Sequence, residues 1–195
     1  MTITPTDIDA EQQNNARAHL TQAAQVDTET FYIEQGLRKL RVTHYSDTYE
    51  SFQSSNASIL AEHLLATEGV DRIVASYIPE VFVLMNRRNG QPIYLTYEKS
   101  QPVMAFTECE TDGTVYDIAS YFSLDSNADH TYYAIERNGT WVLERMQYPT
   151  SKENQQGVYL DSYQTGTVTG NEITGLEHLE GKEVWILLDK ASMHG

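Results

Sequence analysis

The sequence predicts a mainly β fold: an antiparallel meander, then a small separate β unit, with one short helix and scope for an N-terminal helix. Three observations carry that prediction. From Phe31 onward, short runs of β-branched and aromatic residues are separated by turn signals, the texture of antiparallel strands. Asn89-Gly90 and Asn138-Gly139 each lie between two such runs, and Asn-Gly accepts the positive φ angles of a tight hairpin. Residues 58–65 are the one convincing helix of the body, with Ile59, Leu60, His63 and Leu64 at the spacing of one helical face.

Taken in order, residues 1–29 form a polar extension rich in Gln, Asn, Thr and Ala, with Ile8, Leu20 and Val26 as its sizeable apolar groups. A helix capped by Thr6 or Asp7 fits there, but its apolar face is thin, so the extension is expected to dock on something else. Strands are expected at 30–33, 37–43, 72–77, 81–86, 93–98, 103–109, 115–120, 132–137 and 140–146, giving an antiparallel domain over 30–150. The helix at 58–65 would be capped by Asn56 or Ser58 and followed by Gly69. Residues 149–157 are polar and turn-prone, and beyond them 151–195 reads as a separate small β unit with strands at 158–160 and 184–189.

Composition excludes several function classes. The chain has 195 residues, with 13 Lys and Arg against 28 Asp and Glu, a formal charge of -15. Such a surface repels phosphate backbones and anionic membranes, which argues against non-specific nucleic-acid binding. No run approaches the roughly 20 apolar residues of a membrane span, and the N-terminus lacks a basic, then apolar, secretory signal. The reading is of a soluble, unexported chain. Cys109 is the single cysteine, so no intramolecular disulfide and no cysteine-based zinc site can form.

Candidate chemistry is sparse. Asp125, Asn127, Asp129 and Glu136 occupy the first, third, fifth and twelfth positions of a calcium-loop template. His130 stands where the sharp turn calls for Gly, however, and no helices flank the segment, so an acidic loop between strands is the plainer reading. Glu108, Glu110 and Asp112, and again Glu177, Glu180 and Glu183, could be imagined as glycosidase pairs, but 28 acids produce such clusters by chance. Acidic neighbours disfavour a Cys109 thiolate. His19, His44, His63, His130, His178 and His194 are scattered without zinc-site spacing, and no phosphate loop or nucleophile elbow is present. The sequence therefore supplies no catalytic, cofactor-binding or metal-binding residue. Thirteen tyrosines and two tryptophans favour subunit interfaces first and sugar stacking second.

The order of several segments resembles a known family. Phe31-Tyr-Ile-Glu-Gln-Gly-Leu-Arg-Lys-Leu-Arg41, Ile59-Leu-Ala-Glu-His-Leu64, Ile93-Tyr-Leu-Thr-Tyr-Glu98 and Ala105-Phe-Thr-Glu-Cys-Glu-Thr-Asp-Gly113 are similar to successive pieces of bacteriophage tail nozzle proteins, the tail tubular protein B type of short-tailed phages. Val158-Tyr-Leu-Asp-Ser162, Ile173-Thr-Gly-Leu-Glu-His-Leu-Glu-Gly181 and Val184 resemble the segment in which that family opens a small β-barrel-like insert. Family members are longer and have a propeller-like body, so the resemblance implies a shortened or partial member. It also implies a structural, non-enzymatic virion component without cofactors, assembled in the host cytoplasm. Such a component forms a homo-oligomeric, commonly sixfold ring below the portal and adaptor, beside tail-fibre or tailspike proteins. Genomic double-stranded DNA would touch it only in transit, and a carboxylate-rich wall suits a conduit that must not grip phosphates. A carbohydrate- or host-receptor-binding β module is the alternative, and a paired-carboxylate hydrolase a remote third.

Overall fold

The computed structural model describes residues 15–146, together with Gln12, Glu180, Gly181 and Glu183. Three antiparallel meanders follow one another along these residues. The first contains β1 (Ala24–Val26), β2 (Glu29–Ile33), β3 (Leu40–Ser46) and β4 (Ser51–Asn56), paired in that order. After the single helix α1 (Glu62–Ala66), β5 (Val70–Ser76), β6 (Phe82–Arg87), β7 (Pro92–Glu98) and β8 (Val103–Glu108) form the second. The third is β9 (Thr114–Ser123), β10 (Ala128–Arg137) and β11 (Thr140–Arg145). The expected mainly β class with short connections and one short helix is what the described residues adopt. The expected N-terminal helix and the β unit at 151–195 lie outside the described residues.

Parity of side chains explains how the sheets stack. Successive residues of a strand point to opposite faces. Ile73, Val83, Met85, Ile93 and Leu95 of the second sheet are buried with Phe31, Ile33, Leu40 and Val42 of the first. Their immediate neighbours Val74, Phe82, Leu84 and Tyr94 pack instead with Val115, Ile118, Tyr133 and Ile135 of the third. The middle sheet is thus covered on both sides, which is why β6 is the near-continuous apolar run Phe82-Val-Leu-Met. The first strands of the sheets stand side by side, β1 against β5 and β5 against β9.

Four local features differ from the sequence reading. β1 falls inside the segment read as a polar extension, and Ala18 bridges to Glu34, so this stretch docks on the chain's own first sheet. β4 has almost no apolar signal because it is an edge strand. Its Ser54 hydroxyl receives Arg41 Nε at 3.0 Å and hydrogen-bonds the Tyr32 hydroxyl at 2.9 Å. Leu37 stands in a turn at φ +63°, not in a strand. Finally, the helix starts at Glu62, after turns over 58–61, and Ala61 at its N-cap makes no side-chain bond. Asn56 Oδ1 accepts the Ser58 N–H at 3.0 Å, and the Ser58 hydroxyl accepts the Leu40 N–H at 3.1 Å. These bonds hold Ser58 in a turn instead of a helix, the usual competition offered by Asn and Ser. Ile59 and Leu60 are consequently exposed, Leu60 by 92%.

Both Asn-Gly hairpins form, by different turns. Asn138 and Gly139 are both at positive φ, whereas at the other hairpin only Gly90 is, at +78°. A Cβ on Gly90 would meet Thr114 Cγ2 at 2.4 Å and the Val115 backbone nitrogen at 3.0 Å, while Gly139 faces open space. Gly139→Ala is expected to cost about 1 kcal/mol, the left-handed backbone penalty alone. Gly90→Ala is expected to cost about 2–3 kcal/mol, because β9 must also move away. Urea denaturation of the two variants measures the difference, and equal costs would contradict the close approach.

Candidate functional site

The calcium-template residues do not converge. Asp129 and Glu136 lie seven residues apart on β10, about 23 Å along an extended strand, and their odd separation sends them to opposite faces. Asp129 is buried, and its Oδ2 accepts the backbone N–H groups of Tyr77 at 2.5 Å and Ile78 at 3.0 Å. Glu136 accepts the Tyr116 hydroxyl at 2.9 Å, and His130 hydrogen-bonds the Ser126 hydroxyl at 2.8 Å. Among the described residues no three His, Cys, Asp or Glu side chains are grouped to hold a metal ion.

Of the imagined acid clusters, Glu108 is bound to the nearly buried Arg87 at 2.5 Å. Glu110 lines the same shallow, open depression of about 380 Å³ with Asn89, Gln91 and Thr111. Asp112 is exposed, and its carbonyl accepts Arg137 Nη1 at 2.7 Å. Cys109 is half-buried beside them in the connection to the third sheet. Glu180 and Glu183 are exposed, while Glu177 lies outside the described residues.

What these charges do is fasten sheets. Arg72 of β5 makes a two-pronged pair with Asp117 of β9, joining the second and third sheets. Arg137 makes another with Glu144 and also reaches Thr111 and Asp112, anchoring the β8–β9 connection. At the opposite end, Glu29 of the first sheet accepts the Tyr97 hydroxyl and pairs with Lys99 at 3.2 Å. Tyr77 donates its hydroxyl to the Gln25 carbonyl, so a single loop touches all three sheets. Sequence reasoning missed this role for Asp129, whose partners are 51 and 52 residues away.

Tyr94 and Tyr133 meet across the second and third sheets, their hydroxyls 3.0 Å apart, and Tyr133 in turn donates to Met146 Sδ. Burial first, and the Tyr133 phenol second, push the Tyr94 hydroxyl well above the ordinary 10.0 of tyrosine. The folded state therefore retains a proton that the unfolded chain loses above pH 10. Stability is expected to fall from pH 10 upward by about 1.4 kcal/mol per pH unit from this group, until the folded phenol itself ionises. Urea midpoints at pH 9, 10 and 11 measure the slope, and Tyr94→Phe should flatten it.

Several large side chains gather, exposed, on the outer face of the third sheet. β10 turns Asp129, Thr131, Tyr133, Ile135 and Arg137 inward, leaving His130, Tyr132, Ala134 and Glu136 outside. Cross-strand register sets Tyr121 beside His130, Leu143 beside Ala134 and Trp141 beside Glu136. Trp141 and Tyr116 rings lie 4.4 Å apart, and Tyr121 stacks on Tyr132 at 5.9 Å. Trp141 remains 59% and Leu143 71% exposed. On the first sheet Tyr32, Arg41 and Thr43 are hydrogen-bonded to the edge strand, and the exposed Tyr45 and Phe52 rings meet edge to face at 5.4 Å. Among the described residues no helix is long and apolar enough to cross a membrane. No known protein family's sequence model matches the chain, and no curated protein matches it.

Proposed function

We propose that this chain is a structural component of a phage tail, nozzle-like, assembled as a homo-oligomeric ring below the portal and adaptor and contacting tail-fibre or tailspike proteins. The observation that carries the reading is the succession of meanders whose first strands stand side by side, the blade-like body that the segment resemblance implies. Two further features support it. The Arg72–Asp117 pair ties the second sheet to the third, and Arg137, paired with Glu144, also holds the β8–β9 connection, as a rigid wall requires. A charge of -15 suits a wall along which DNA slides without adhering. The test is the composition of purified virions. The protein should be present at a fixed multiple of the portal ring and visible at the tail by imaging, and its absence from mature particles defeats the proposal. Native mass of the purified chain should give a closed multimer.

A second reading, a carbohydrate- or host-receptor-binding module, is favoured by the exposed Trp141 and Tyr116 rings. Glycan-array binding abolished by Trp141→Ala would favour it over the first.

A further inference from the structure

We infer that Asn138-Gly139 is a site at which the folded chain modifies itself, the asparagine losing ammonia to become aspartate or isoaspartate, while the identical Asn89-Gly90 pair is kept intact by its surroundings. The reaction is the one that makes asparagine a labile residue in water. Hydroxide takes the proton of the glycine N–H, the nitrogen bonds to the asparagine Cγ, and the Cγ–Nδ2 bond breaks as ammonia leaves with a proton from water. Water then opens the cyclic imide at either carbonyl, giving aspartate or, with the backbone rerouted through the side chain, isoaspartate. No other group takes part, so the rate depends on whether the glycine nitrogen can reach its neighbour's side chain.

The two hairpins differ at that nitrogen. Asn138 and Gly139 are exposed, a Cβ on Gly139 would face open space, and the Gly139 N–H makes no hydrogen bond among the described residues. At the other turn Gly90 is buried, its N–H donates to the Arg87 carbonyl at 2.8 Å, and its carbonyl accepts the Val115 N–H at 2.9 Å. Asn89 Oδ1 is engaged as well, accepting the Gln91 N–H at 3.1 Å. Attack there must first break these bonds and part the turn from β9, whereas the 138–139 tip reorients by a local opening. Modification also has a structural consequence. Isoaspartate adds a backbone carbon to the two-residue loop that sets the β10–β11 register. Arg137, the residue before it, is the nearly buried anchor that holds Glu144, Thr111 and Asp112.

The test incubates the full-length chain at mildly alkaline pH, folded and in concentrated urea, then digests it after glutamate for mass spectrometry. Peptides 81–98 and 137–144 each carry one Asn-Gly pair, and fragmentation separates Asn89 from Asn86. In the folded chain Asn138 should gain one mass unit about tenfold faster than Asn89, or more, since each retained hydrogen bond slows the opening of the 88–90 turn. In urea the two rates should converge. Equal rates in the folded chain, faster loss at Asn89, or an Asn138 that converts only in urea overturns the proposal. So does a gap that persists in urea, which would assign the difference to flanking sequence instead of fold. The isoaspartate form, separated by anion exchange for its added charge, should show faster hydrogen exchange at residues 111–113. Exchange there equal to that of the parent chain overturns the assigned consequence.

Discussion

Leu84→Ala and Met85→Ala are each expected to lower the stability of the chain by about 3–4 kcal/mol. Both side chains are fully buried at the centre of β6, yet they point to opposite faces. Leu84 is enclosed by the third sheet, with Val115, Ile118 and Ile135 in the same cluster, and Met85 by the first, with Phe31, Val42 and Leu40. Each truncation loses the transfer free energy of the removed atoms and leaves a cavity that two rigid sheets cannot close. The two side chains belong to different clusters, so neither cavity relieves the other. The double variant then approaches the whole stability of an ordinary domain, about 5–15 kcal/mol, and should be largely unfolded near physiological temperature. Urea denaturation followed by circular dichroism measures all three. A Met85→Ala cost under about 1 kcal/mol would mean that the first sheet does not seat on the second.

The parity behind that prediction also decides how much was legible in the sequence. Alternation located nearly every strand from 30 to 146, and Asn89-Gly90 and Asn138-Gly139 marked hairpins, because these signals are local. β4 escaped because Ser51-Phe-Gln-Ser-Ser-Asn56 is stabilised by Arg41 and Tyr32 on a neighbouring strand, not by burial of its own side chains. The helix began late because Asn56 and Ser58, read as caps, bonded the backbone in a turn. The excess of tyrosines pointed to an interaction surface, but selecting its members required register. Tyr132 and Tyr133 are adjacent, and one lies outside beside Tyr121 while the other bonds Tyr94 in the interior. Asp129 was legible only as an oxygen ligand at regular spacing. Its actual partners, backbone groups of Tyr77 and Ile78, come from another sheet, and no local pattern announces them.

Asp129→Ala is accordingly expected to cost about 3 kcal/mol, with no dependence on added calcium. The carboxylate is buried, and it accepts two backbone N–H groups of the loop that joins β5 to β6, while its own N–H is donated to the Ile78 carbonyl at 3.0 Å. Hydrogen bonds to a charged acceptor contribute about 1.5–3 kcal/mol each, and donors left without a partner add a desolvation cost. Water reaching the partly buried loop offsets some of that loss, which keeps the total near 3 kcal/mol. Asp129→Asn retains one acceptor oxygen in place, so its cost should be nearer 1 kcal/mol. The loss should be directional as well. The Tyr77 hydroxyl reaches the Gln25 carbonyl of the first sheet, so freeing this loop loosens the first sheet together with the third. Native-state hydrogen exchange should therefore rise at Tyr77, Ile78 and the β1 amides, and stay unchanged around Arg137 at the far end. Equal effects of Ala and Asn, or stabilisation of the parent chain by millimolar calcium, would return Asp129 to the role of a cation ligand.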